Sequence, residues 1–450
     1  MTADSISSPL RIDSVRLDGA SEIGMTICPG KHEVSAFSGR WARDLETDVR
    51  AIVDWGAAAV VTLMEKDELA RLKVSAIGET VERAKMDWHF LPIVDVDVPD
   101  EHFENLWIYS GHSLRRVLVD GRKLLIHCKG GLGRTGTIAA RLMVELGQNP
   151  ADAIRLVRKA RPGAIETSAQ ERHVRGISKL RYDVEQVDRI LGCLLGGAVG
   201  DAFGYAVEFE HWPQIKTRFG AKGITRPVEH DGKILVSDDT QMTLFSLEAL
   251  ARSREPIRRY DLKAVLEEIR LSYLDWLQTQ GEGARSWKIV GTIAADARLR
   301  HRRAPGNTCL DALRAGGRGS PEKKHNDSNG CGGVMRVAPI GLVTELDPKQ
   351  AAELAARAAA LTHGHPSGYL SAAALAAIVR LLLVGRGLPD AAQTACEIVS
   401  EWKDADETVK QIDAAPDWRA ARTETIAKQS DRLERDGLAR KLWQSDSSAP

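Results

Sequence analysis

The chain carries no surplus charge: 62 lysines and arginines are matched by 62 aspartates and glutamates. With a net charge of zero, nothing advertises a nucleic-acid or membrane-binding surface, although a local patch is still compatible with a neutral total. The six cysteines, Cys28, Cys128, Cys193, Cys309, Cys331 and Cys396, are scattered along the sequence. They form no CxxC pair and show no zinc spacing, so neither a disulfide framework nor a structural zinc site is indicated. The first residues, MTADSISSPLRIDS, hold no apolar core of the kind a secretory leader needs. The longest apolar run, near Leu370–Gly385, is interrupted by Arg380 and is short for a bilayer span. No internal repeat is visible. These absences lead us to expect a cytoplasmic protein with reduced thiols, in which five of the six cysteines serve as small core fillers.

What is present points to two domains. A chain of 450 residues exceeds one ordinary core. Its 43% apolar and 28% charged residues are those of a soluble globular protein. Over residues 1–180 helices and strands alternate. Leu45, Val49, Ile52 and Val53 share a helical face that Gly56 ends. The runs AVVTLM, FLPIVDV and KLLIHC read as short buried strands. Asn149 followed by Pro150 reads as an N-cap with proline at the first helical position. This alternation implies an α/β layer fold with a central sheet flanked by helices. Beyond about Leu180 the strand pattern stops, and helical periodicity with glycine-rich connections predicts an all-α domain over 187–450. The segment SKLRYDVEQVD is the expected hinge. From about Ala414 the sequence is charged and weakly periodic, as a loosely attached helix or frayed tail would be.

The first stretch that demands chemistry is HCKGGLGRTG, His127–Gly136. Gly131, Gly133 and Gly136 fit a dinucleotide fingerprint, but that reading needs a second strand with an acidic residue about 20 positions on. A helix opened by Asn149-Pro150 follows instead. The alternative is thiol chemistry. A glycine-rich loop between strand end and helix start presents successive N–H groups, Lys129 through Arg134, to an anion. The same groups favour a thiolate at Cys128. Arg134 offers a planar fork for two phosphate oxygens, Thr135 is placed to donate its hydroxyl to the sulfur, and His127 suits a buttress better than a base. Lys129, Gly130, Gly131, Leu132, Gly133 and Arg134 form the expected phosphate cradle.

This stretch resembles the His-Cys-x5-Arg-Thr signature of cysteine-dependent protein phosphatases. With WHFLPIVDVDVPD upstream, residues 10–178 resemble the dual-specificity branch, especially cyclin-dependent-kinase-inhibitor-3-like phosphatases. The resemblance implies a metal-independent phosphomonoesterase with Cys128 as nucleophile. It implies a loop aspartate as general acid, at Asp95 by the PIVD match, with Asp97 and Asp100 as rivals. RPGAIETSAQ resembles the segment whose glutamine orients the hydrolytic water, here Gln170.

The second stretch is SDDTQMT, Ser237–Thr243. Two adjacent carboxylates repel each other unless a cation joins them. Ser237, Asp238 and Asp239 supply oxygen ligands of the type Mg²⁺ prefers. The same residues also suit a helix N-cap. Three further stretches bear on the choice. LGCLLGGAVGDAFGYAVEF combines glycines with Asp201 where close backbone approach is expected. NDSNGCGGVMRVAPIG is a small-residue loop able to wrap a polar ligand. LTHGHPSG sets His363 and His365 at a helix end. In this order, and with RAPGNTCLDALRAGG, they resemble the ADP-ribosylglycohydrolase family from about Val187 to at least Val384. That resemblance implies one or two Mg²⁺ ions held by Ser237, Asp238 and Asp239, with Glu208 shaping the ribose side. It implies ADP-ribose lined by Asn329, Gly330, Gly332 and Met335, with His363 against the ribose. The family's late Gly-Gly-Asp-x-Asp segment has no counterpart here; Asp404 and Asp406 lack preceding glycines and resemble a surface helix start. A truncated helical half is therefore expected, with its second metal and its hydrolysis in question. The expected substrates are a phosphorylated protein or small molecule and ADP-ribose or an ADP-ribosylated molecule, with neither nucleic acid nor membrane as partner.

Overall fold

The computed structural model describes residues 2–17, 19–36, 39–284 and 286–414. It divides into two compact units at Val187/Asp188, a boundary inside the helix Val184–Tyr205. The charged stretch beyond Ala414 lies outside the described residues.

In the first unit a five-stranded sheet runs in the order Asp13–Arg16, Glu22–Thr26, Lys123–His127, Ala57–Thr62, Asp87–Phe90. The first pair is antiparallel and the remaining pairs are parallel. Lys123–His127 is flanked by parallel strands on both sides. Leu124, Leu125 and Ile126 are fully buried, as an unbroken aliphatic run requires there. Its carboxyl end delivers the chain to Cys128, the edge at which open α/β sheets bind ligands. The following helix, Gly133–Glu145, is buried along all its 13 residues. The helix Leu45–Trp55 ends at Gly56 with φ 90, and Asn149 caps Pro150–Ala160 by accepting from the Ala151 N–H at 2.9 Å.

One expected strand is displaced. FLPIVDV contributes only Phe90 to the sheet, and the fifth strand is the preceding Asp87–Phe90. Leu91 and Ile93 still donate to Thr62 O and Leu63 O, but Pro92 between them has no N–H. The rest of the run is therefore a loop, and it carries Asp95 and Asp97.

Among its described residues the second unit is helical apart from a hairpin of two residues per strand, Glu229–His230 with Lys233–Ile234. Its core is built by Asp238–Arg252, Leu262–Thr279, Pro348–Ala360, Pro366–Leu383 and Leu388–Ser400. Alanines let Pro348–Ala360 and Pro366–Leu383 pack together: Ala351, Ala355, Ala358, Ala359, Ala372, Ala373, Ala376 and Ala377 are all fully buried. Pro366–Leu383 extends beyond the apolar run read from sequence. By length and composition its 18 residues suffice to cross a membrane, which corrects the expectation that the run is too short. Most of it is buried among the other helices, and Arg380 binds the Leu346 and Thr344 carbonyls. The glycines of Val184–Tyr205 do not mark close approach. Among the described residues, a Cβ built at Gly192, Gly196, Gly197, Gly200 or Gly204 meets nothing within 4 Å.

Candidate active sites

In the first unit the loop from Cys128 to Arg134 curls around its own sulfur. Cys128 is buried, and its Sγ accepts from the Gly131 N–H at 3.2 Å. Gly131 holds φ +69, and a Cβ there would lie 2.2 Å from the Thr26 carbonyl oxygen, so only glycine fits. Lys129 pairs with Glu33 at 2.8 Å. The Gly130 and Gly131 carbonyls are held from outside by Arg161, which also pairs with Asp13 at 2.6 Å. Turning these carbonyls outward leaves the inner side of the loop to N–H groups. Arg161 has no sequence signature in the loop, and only the fold brings it there.

Arg134 is buried and strongly compensated. Its two terminal nitrogens reach Glu68 at 2.6 and 3.0 Å, and one of them also donates to Ile93 O at 2.9 Å. The Asp95 carboxylate lies 2.7 Å from its Nη2. Burial opposes ionisation of Glu68, but the bonds from Arg134 prevail and hold its carboxyl below the usual range. Glu68 is a residue of the candidate site that sequence reading missed. It lies 66 positions from Arg134 in an unremarkable charged helix, Lys66–Arg71.

The three loop aspartates separate clearly. Asp95 touches Arg134 while its side chain remains 54% exposed. Asp97 turns back to its own loop, accepting from the Val98 N–H at 2.8 Å. Asp100 caps the helix Glu101–Val119 by accepting from the Phe103 N–H at 2.8 Å. Gln170 is fully buried. Its Nε2 donates to the Asp97 carbonyl at 3.2 Å, and its Oε1 accepts from the Glu166 and Thr167 N–H groups. It therefore ties the aspartate loop to the segment that overhangs Gly133.

His127 is fully buried, with Nε2 2.8 Å from Thr62 Oγ1 on the neighbouring strand. Burial pushes its pKa down to about 3, so the ring is neutral and serves as a buttress. Thr135 departs from expectation. Its buried Oγ1 has no hydrogen-bond partner and is not bonded to the sulfur, which accepts from the Gly131 N–H.

In the second unit Ser237 caps Asp238–Arg252, accepting from the Asp239 N–H at 3.1 Å. The cap and the acidic cluster are the same residues, so the two readings of SDDTQMT coexist. Asp201 binds the same helix start, accepting from Ser237 N–H at 2.9 Å and from Thr240. It is the residue the glycine-rich stretch contributes. Burial and the adjacent Asp239 push Asp238 up to about 7. Burial, Asp201 and Glu208 push Asp239 up to about 6, and partial desolvation with Asp201 raises Glu208. Neighbouring carboxylates thus raise Asp238, Asp239 and Glu208, with no cationic side chain among the causes of these three shifts. Oxygen donors under mutual repulsion fit a hard divalent cation. Among the described residues, however, no three His, Cys, Asp or Glu side chains converge closely enough to hold a metal. Asp406 opens the helix Asp406–Ala414, and Asp404 bears on Tyr369. A cleft of about 490 Å³ is lined by Glu208, Phe209, Arg302, Gly306 and Asn307.

Asn329, Gly330 and Cys331 are exposed on the loop that the cluster adjoins, and Met335 O accepts from Thr243 at 3.1 Å. His363 lies beneath this loop: a Cβ at Gly332 would meet its Cε1 at 2.8 Å. Its Nδ1 is 2.8 Å from Thr362 Oγ1. Burial and the nearby Arg336 bring its pKa down to about 4. At 2% exposure it is packed under the loop and supports it from below. Arg336, which sequence reading passed over, is fully buried, stacked on Tyr273 at 4.3 Å and bonded to Thr362.

Comparison with known proteins matches each unit separately. The ADP-ribosylglycohydrolase family model matches residues 182–446, and that of the Swiss Army Knife protein, DSP-PTPase phosphatase domain, matches 36–174. The chain is 28% identical over 226 residues to the ADP-ribosyl-[dinitrogen reductase] glycohydrolase of Rhodospirillum rubrum, covering 48% of this chain and 65% of that protein. It is 28% identical over 174 residues to rat cyclin-dependent kinase inhibitor 3, covering 37% and 78%. With the pig protein the identity is 32% over 136 residues, covering 28% and 60%. A crystal structure of kinase-associated phosphatase, with its catalytic-site cysteine changed to serine, aligns at 26% identity and TM-score 0.33, covering 37% of this chain and 93% of that one.

Proposed function

Because the chain belongs to the ADP-ribosylglycohydrolase family and carries an N-terminal dual-specificity-type phosphatase domain, we propose that it is a two-site hydrolase. The phosphatase site removes phosphate through a cysteinyl-phosphate intermediate without a metal. The Cys128 thiolate attacks phosphorus, and the ester oxygen leaves with a proton from Asp95. Water then attacks the cysteinyl phosphate, with Asp95 accepting its proton and Gln170 orienting it, and inorganic phosphate departs. Arg134, held by Glu68, and the loop N–H groups bind the phosphoryl oxygens. The observation that carries this reading is the Cys128 Sγ to Gly131 N–H bond in a loop whose carbonyls Arg161 turns outward. The Cys128→Ser variant should lose turnover while still binding oxyanions. Orthovanadate should inhibit and EDTA should not. Retention of more than a few per cent of wild-type activity by Cys128→Ser would sink the assignment.

For the helical half the reading is Mg²⁺-dependent removal of ADP-ribose. Ser237, Asp238 and Asp239 would hold the ion, and Mg²⁺ bound there would polarise the ribose as a Lewis acid. Glu208 shapes the ribose side, and the Asn329–Met335 loop, propped by His363, lines the nucleotide. A second reading, an ADP-ribose-binding module with little turnover, is favoured by the lack of three convergent ligands among the described residues. Release of free ADP-ribose from a modified protein, measured with and without Mg²⁺, separates the two. The substrates in this proposal are a phosphorylated protein or small molecule and an ADP-ribosylated one, met in the cytoplasm.

A further inference from the structure

We propose that Glu166 sets the oxyanion affinity of the cysteine loop by competing with the substrate phosphate for the Gly133 N–H, an inference that rests on reading that loop as a phosphate cradle. Glu166 Oε2 accepts from the Gly133 N–H at 2.7 Å. Gly133 is the first residue of the 13-residue helix Gly133–Glu145, where N–H groups and the helix dipole both favour an anion. The carboxylate therefore already occupies one of the donors expected to receive a phosphoryl oxygen. A Cβ at Gly133 would lie 2.4 Å from Glu166 Oε2, so glycine leaves the room that the carboxylate uses.

The backbone delivers Glu166 to this position at a conformational cost. Ile165, immediately before it, is a buried β-branched residue at φ 57, in the left-handed region that such side chains avoid. Arg158 grips the Ala164 and Ile165 carbonyls, at 3.2 and 3.0 Å. Gln170 Oε1 accepts from the Glu166 N–H at 3.0 Å. Three tethers thus hold a strained segment in place, and its outcome is a carboxylate on the rim of the cradle. Fold stability alone does not call for an acidic residue here, because the Glu166 residue is exposed.

An entering phosphate dianion must displace this carboxylate from Gly133 or bind beside it against like-charge repulsion. Either way the cradle binds oxyanions more weakly than an uncharged version would. Glu166 then acts as a specificity-determining residue that penalises the more highly charged oxyanions. Inorganic phosphate is a sufficient probe, used on the full chain as wild type, Glu166→Gln and Glu166→Ala. The glutamine keeps an acceptor for Gly133 and removes the charge, whereas alanine removes both. Both variants should bind phosphate about threefold to tenfold more tightly, as expected for loss of one nearby charge at the surface. KM for an aryl phosphate should fall in parallel. The gain should shrink as salt shortens the screening length from about 10 Å at 0.1 M to about 3 Å at 1 M. If wild type binds phosphate in calorimetry and neither variant binds it more tightly, Glu166 merely props the loop and the inference falls alone. If wild type and variants all fail to bind phosphate, the phosphate-cradle reading falls and takes this inference with it.

Discussion

The two candidate sites treat buried charge in opposite ways. Around Cys128 the cationic side chains are paired: Arg134 meets Glu68 and Asp95, Arg161 meets Asp13, and Lys129 meets Glu33. At the head of Asp238–Arg252, Asp201, Glu208, Asp238 and Asp239 repel one another, and the ionisation of Asp238 and Asp239 is pushed toward neutrality. A cradle whose cations are already paired suits an anionic substrate, and a cluster of mutually repelling carboxylates suits a cation. The contrast is the one that the two proposed chemistries, phosphoryl transfer through Cys128 and Mg²⁺-dependent removal of ADP-ribose, call for.

The largest expected effect tests the compensated side. Cys128→Ser removes the nucleophile but not the cradle, so turnover should fall by at least about 10³-fold while phosphate still binds. Asp95→Asn should come next, at about 10²-fold or more with a poor alkyl leaving group and much less with an activated aryl one. Equal slowing of both esters would take the general-acid role away from Asp95.

Glu68→Gln asks what the compensation is worth. It leaves the buried Arg134 guanidinium with only carbonyls and the exposed Asp95. Breaking one partner of a buried pair typically destabilises by about 3–5 kcal/mol, here with Asp95 offsetting part. The urea midpoint of the first unit should drop accordingly, and kcat/KM should fall with it. An unchanged midpoint would mean that Arg134 does not depend on Glu68.

How much of this was legible in the sequence follows the range of each interaction. Local signals carried well: Gly56, Asn149-Pro150 and the Ser237 cap stand where the sequence puts them, because each is decided within one helical turn. Glu68, Arg161 and Arg336 were invisible, because their partners lie 66, 30 and 26 positions away along the chain. FLPIVDV misled because its apolar content suits a strand while Pro92 removes a ladder donor. His363 stands at a helix end as read from sequence, but its burial under Gly332 is set by tertiary packing that no local signal carries.

Opposite pH responses should sharpen the contrast between the halves. His127 is held at about 3 in the folded protein, against an ordinary 6.5. The folded state therefore binds fewer protons than the unfolded one across that window. Its contribution is fully present above about pH 6.5 and is lost as pH falls toward 3. Asp238 and Asp239 are raised to about 7 and about 6 from 3.8. Here the folded state binds more protons, so stability is lost as pH rises from about 4 through 7. Each effect is on the order of 1–3 kcal/mol after allowance for coupling among the carboxylates. Region-resolved hydrogen exchange on the full chain should show Asp238–Arg252 opening more readily at about pH 8 than at about pH 5, with Mg²⁺ restoring its protection. Protection of Gly133–Glu145 should change in the other direction and ignore Mg²⁺. If both helices respond alike, the division between a compensated and an uncompensated site is wrong.

The smallest expected effect separates two aspartates five residues apart. Asp100 binds the Phe103 N–H in extended geometry, as an N-cap does, whereas Asp95 reaches Arg134. Asparagine caps a helix about as well as aspartate, because its side-chain oxygen accepts the same bond. Asp100→Asn should therefore be nearly silent, within about 0.5 kcal/mol in stability and without leaving-group dependence in turnover. Asp100→Ala should cost about 1 kcal/mol through the lost cap, still with no selectivity between alkyl and aryl esters. Asp97→Asn likewise keeps an acceptor for its own loop N–H and should show no selectivity. A selective loss on alkyl phosphates in Asp100→Asn, with its stability intact, would transfer the proton donor to Asp100. It would also mean that the loop rearranges when phosphate binds, breaking the cap to free the carboxyl.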